Sequence, residues 1–100
     1  MFETGSLHNE ASLDFAISYA QRTSNWTKAP AYLMRAILID HVFEEGNKRT
    51  AALLITAYAA HEGYNIYDDK VLTSVKKIIL KNITSIKQIE ELIKDAIKTR

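Results

Sequence analysis

Apolar residues recur along this chain at helical spacing, and strand-like alternation is scarce. Leu13, Ala16, Ile17 and Ala20 form one stripe and predict a first helix over residues 10–21. RTSNWTK, residues 22–28, breaks the pattern with small polar side chains and predicts a loop. Pro30 suits the first turn of a second helix, where its missing N–H costs nothing; that helix is expected to reach about Asp40 and is apolar on most sides. A third helix is expected from near Asn47 to just before Gly63, a good left-handed C-cap. Residues 51–60 are apolar almost all round apart from Thr56, which predicts a helix at the centre of the domain. Asp68 or Asp69 can cap a fourth helix with Leu72, Val75 and Ile79 as its stripe. Ser85 and Gln88 make a capping box for a fifth, lined inside by Ile86, Ile89, Ile93 and Ile97. YNIY, residues 64–67, allows a brief strand. The expected class is all-α: a compact bundle of about five helices around a central buried one, residues 1–100 forming a single domain.

Composition narrows the picture. A chain of 100 residues has room for one modest core and for one site rather than several. A hydrophobic fraction of 47% with three glycines and one proline is globular rather than disordered. There is no cysteine, which excludes disulfides and thiolate metal sites and suits a reducing compartment. No N-terminal stretch has the pattern of a signal peptide, and the apolar runs reach about half the length of a membrane span, so a cytoplasmic location without membrane contact is expected. The net charge of +1 hides an asymmetry: residues 1–69 hold nine acids and five bases, residues 70–100 three acids and eight bases. The ordinary reading of the basic part is a solvated lysine face on two surface helices, and nucleic acid is not the expected partner.

The densest polar cluster, HVFEEGNKRTA at residues 41–51, sits between the two most apolar segments. Gly46 and Asn47 are turn residues, and Asn47 is a good N-cap. Lys48 and Arg49 follow at the start of the third helix, where the dipole is positive and a cation loses a few tenths to about 1 kcal/mol. A broken local rule often marks function, and a bound anion removes the conflict: helix amides and two cations would face a phosphate. His41 can accept a proton near neutral pH, and Glu45 can hold the Mg²⁺ that a polyphosphate brings. Glu44 can face solvent, while Val42 and Phe43 can anchor the loop. Each has a plainer reading: a histidine bonding a carbonyl, surface acids, a turn that is only a turn. Their joint occurrence before an apolar helix is what favours a site. The stretch is not a Walker A loop.

HVFEEGNKRTAAL resembles the Fic/Doc signature, H-x-F-x-[DE]-G-N-x-R, at His41, Phe43, Glu45, Gly46, Asn47 and Arg49. GSLHNEASLDFAIS, the apolar helix before the signature and HEGYNI after it are also similar to the family. The resemblance implies a compact helical domain that uses a nucleotide to modify a hydroxyl of a target protein. It implies His41 as base, Glu45 as Mg²⁺ ligand, Gly46 and Asn47 with the helix start as the anion hole, Arg49 on phosphate, and Phe43 packed inside.

Two departures point within the family. Adenylyl-transferring Fic proteins have glycine where Lys48 stands and a second arginine where Ala52 stands; N-K-R-T-A, residues 47–51, resembles the Doc branch. Doc toxins, as the resemblance implies, place the γ-phosphate of ATP at the base, phosphorylate a threonine of a translation elongation factor, and are covered at the groove by an antitoxin. Val42 replaces the proline usual after the histidine. The expectation is therefore a Doc-like kinase with ATP as co-substrate, Mg²⁺, a protein substrate and an antitoxin partner. Two alternatives stay open: adenylyl transfer, and a non-catalytic regulatory module of the same fold. The inhibitory pattern [ST]-x-x-x-E-[GN] is met at Ser6 and Glu10 but broken by Ala11, so an ordinary helix cap is favoured there. The flap that docks targets in the family would fall at residues 22–28 and is short. Trp26 in it is read as folded onto the core rather than stacked on a partner; His61 is read as bonding a carbonyl through Nδ1 or facing solvent, and His8 as a surface residue.

Overall fold

In the computed structural model the described residues are 10–40 and 46–98. They form five helices in the expected order: α1 (Glu10–Arg22), α2 (Lys28–Leu38), α3 (Asn47–His61), α4 (Asp68–Leu80) and α5 (Ile86–Ala96). Asn65–Ile66 (β1) and Ile97–Lys98 (β2) add a two-stranded antiparallel ladder, Asn65 opposite Lys98 and Ile66 opposite Ile97. The class is all-α. The brief strand expected at YNIY forms, and Ile97, expected on α5, belongs to its partner. No helix among the described residues is long and apolar enough to cross a membrane.

The helix ends follow local chemistry. The loop between α1 and α2 is only residues 23–27, because Asn25 starts α2 early: its carbonyl accepts from the Lys28 and Ala29 amides at 3.1 and 3.2 Å, and its side-chain oxygen accepts from the Thr27 amide at 3.1 Å. Pro30 falls in the first turn, as its missing N–H requires. Gly63 closes α3 at φ +83°, with the Tyr64 amide bonding the Ala59 carbonyl at 2.8 Å and the Gly63 amide bonding Ala60 at 3.0 Å, a Schellman end. Ser85 caps α5 by accepting from the Gln88 amide. Asp68 and Asp69 do not cap α4. Tyr67 holds that position, and the two aspartates complement the dipole from the first turn.

The central helix is α2, not α3. Ala29, Pro30, Ala31, Met34, Ala36, Ile37 and Leu38 are buried on it, and it packs against α1, α3, α4 and α5. Helix α3 buries only Ala51, Ile55 and Ala59, and its Leu53 is 63% exposed. The main core joins Met34, Leu38, Ile55, Val75, Ile78, Ile89 and Ile93, and a smaller contact of Ala16 with Ala36 seats α1. Two stripes shift. On α1, Ala16 is buried and Ile17 is 38% exposed. On α4 the buried row is Val71, Ser74, Val75 and Ile78, leaving Leu72 54% exposed. The lysines of α4, α5 and β2 are exposed, as a solvated face requires.

Buried Glu90 is tied down by the Thr27 hydroxyl, which donates to it at 2.7 Å, and by Lys94 at 3.7 Å. Trp26 folds back half-buried and stacks on Tyr64, centroids 5.6 Å apart.

Candidate functional site

Of the residues singled out by the sequence, His41, Val42, Phe43, Glu44 and Glu45 lie outside the described residues, as do Ser6 and His8. The structure describes the second half of the cluster, Gly46 to Ala51, and the elements on either side of residues 41–45.

On the upstream side, α2 ends at Leu38, and the Ser12 hydroxyl of α1 donates to the Asp40 carboxylate. That contact fixes the chain just ahead of His41. On the downstream side Gly46, rather than Asn47, is the N-cap of α3, at φ +79° and ψ +13°. Left-handed backbone is where glycine costs nothing and an L side chain is strained. A Cβ at Gly46 would meet no atom within 4 Å, so the backbone angle alone asks for glycine. Asn47 becomes the first residue of the helix. The helix's own ladder opens when the Thr50 amide bonds the Gly46 carbonyl at 2.9 Å. The Lys48 and Arg49 amides therefore have no acceptor within the helix.

Lys48 and Arg49 are both exposed on this first turn, which holds no acid. They flank two adjoining depressions. One, of about 420 Å³, is walled by Leu38 of α2, Gly46, Asn47 and Ile79 of α4. The other, of about 430 Å³, runs between α3 and α4 past Ala52, Leu53, Asp68 and Leu72. The geometry supplies amides, two cations and an apolar wall at one helix start, a combination that suits a phosphate-bearing ligand. The wall residues were not legible as site residues: Leu38 and Ile79 read as core, Asp68 as a cap. No local signal distinguishes them, because tertiary packing alone brings them beside Lys48 and Arg49.

Among the described residues no group of three or more His, Asp or Glu side chains could hold a metal. Glu45, the expected Mg²⁺ ligand, is not one of them. A further depression, of about 550 Å³ between the end of α4 and α5, has a mixed lining that includes Lys77, Lys81, Glu91 and Asp95. It takes no residue from the cluster. No family model, characterised protein or solved structure matches the chain.

Proposed function

We propose that this protein is a Doc-like phosphotransferase that moves the γ-phosphate of ATP to a Ser or Thr hydroxyl of a target protein. The observation that carries the reading is the signature ending at Arg49, with Lys48 and Arg49 exposed on the first turn of α3 around an open depression. Gly46 lets the backbone turn into the helix without a side chain between the amides and a phosphate. Arg49 offers a planar fork for two phosphate oxygens, Lys48 a point charge. His41 takes the proton of the acceptor hydroxyl as its oxygen bonds to the γ-phosphorus. The bond from that phosphorus to the bridging oxygen breaks, and ADP leaves. Mg²⁺, with Glu45 as its ligand, would neutralise phosphate charge when bound.

Lys48 favours γ-transfer over adenylyl transfer. A glycine there would let phosphates lie against the helix start, whereas lysine occupies that space, and Ala52 supplies no second arginine. An antitoxin partner, a cytoplasmic location and an elongation-factor target complete the proposal. The test is parallel labelling of a cell lysate with α-labelled and γ-labelled ATP in the presence of Mg²⁺. Label retained on a protein from the γ position alone is expected, lost in Arg49→Ala. Label retained from the α position alone would replace phosphorylation by adenylyl transfer.

A further inference from the structure

The opposite end of α3 carries another depression, of about 450 Å³, which takes no residue from the cluster at residues 41–51. It falls within the range of roughly 300–1,000 Å³ common to small-molecule sites. Ala20 of α1, Ala29 of α2 and Ala57 of α3 leave the room where three helices meet. Trp26 and Tyr58 are its aromatic residues, and Glu62 brings a carboxylate. The Trp26 indole is held by its stack on Tyr64, with 19° between the ring planes.

Its electrostatics favour one sign of ligand. Aromatic faces carry negative charge density. The C-terminal end of a helix adds a partial negative charge, and Glu62 is the C-cap of α3. No Lys or Arg lines the depression. The one group there able to become a cation, His61, sits beside the Glu62 carboxylate at 3.3 Å with 85% of its side chain exposed. We infer that this depression binds an alkylammonium group, held by the Trp26 and Tyr58 rings and the Glu62 carboxylate. Rings and carboxylate together are the recognition chemistry of quaternary ammonium ions. The group can come from a free amine or from a methylated lysine side chain. This site is independent of the phosphate site, since α3 at 15 residues spans about 22 Å between the two ends.

Trp26 is the only tryptophan, so its emission reports on the depression directly. The full chain is titrated at constant ionic strength with choline, with 3,3-dimethylbutan-1-ol of the same shape but no charge, and with Nα-acetyl-Nε-trimethyl-lysine amide. A saturable change with the cations is expected, weaker by roughly two- to thirtyfold with the neutral alcohol. Tighter binding of the lysine derivative than of choline would assign a protein-borne ligand, and the reverse order a free amine. Glu62→Gln, at an exposed helix end, should weaken choline binding while the helical circular dichroism stays unchanged. A neutral alcohol that binds as well as choline, no saturable change with either cation, or unchanged affinity in Glu62→Gln would each overturn the assignment.

Discussion

Helices α2 and α3 look alike in sequence and differ in the fold. Both are mostly apolar, yet α2 buries seven of its 11 residues and α3 three of its 15. Side-chain size and neighbours explain the difference. The outward positions of α3 include Ala57 and Ala60, whose exposure costs little, so an almost wholly apolar helix can lie at the surface. Met34, Ile37 and Leu38 on α2 are larger and need neighbours on several sides, which α1, α3, α4 and α5 supply. An apolar helix need not be central; a small bundle has room to surround only one.

The contrast is broken most directly by truncation. Met34→Ala on α2 is expected to cost about 2–5 kcal/mol, because a fully buried side chain leaves a cavity. Leu53→Ala on α3 should stay within about 0.5 kcal/mol. Urea unfolding of both variants measures the gap, and equal losses would restore α3 as the central helix. A smaller effect tests how α2 is anchored. Thr27→Val removes the donor to buried Glu90 and should cost about 1–3 kcal/mol, with Lys94 as the remaining partner. Lys94→Ala, which touches only the exposed side of that pair, should cost no more than about 1 kcal/mol.

At the start of α3, Gly46→Ala meets no steric obstacle and should cost only the left-handed backbone term, about 1–2 kcal/mol. Its effect on γ-transfer should exceed what that loss of stability explains, because the new methyl would stand beside the proposed phosphate position. The smallest effect has the opposite sign. Lys48→Glu replaces a cation by an anion at a helix N-terminus and should raise stability by about 0.3–1 kcal/mol in low salt. The same variant should lose γ-transfer. A more stable and equally active Lys48→Glu protein would detach Lys48 from the site.

Much of the fold was legible because its signals are local. Gly63 ends α3, Ser85 starts α5, and 3.6-residue spacing marks every helix. Local signals failed where one segment offers two equivalent faces. Helix α4 contains Val71, Val75 and Ile78 as well as Leu72, Val75 and Ile79, and only its neighbours decide which row turns inward. The Asn25 start of α2 was hidden because an Asx side chain and carbonyl two or three residues ahead did the capping.

The candidate site divides the same way. The turn at Gly46 and the cations at Lys48 and Arg49 fall within four residues of the chain, so the sequence by itself determined their place at the start of a helix. It also determined the all-α class, since helix periodicity and caps need no partner to be read. Only the tertiary structure decided that α2 is the central helix. It also decided that Leu38 and Ile79 wall the N-terminal end of α3, and that Trp26, Tyr58 and Glu62 meet at the other. Those contacts join residues tens of positions apart. Their geometry is set by which faces pack together once the whole chain has closed on its core, and no local pattern encodes that choice.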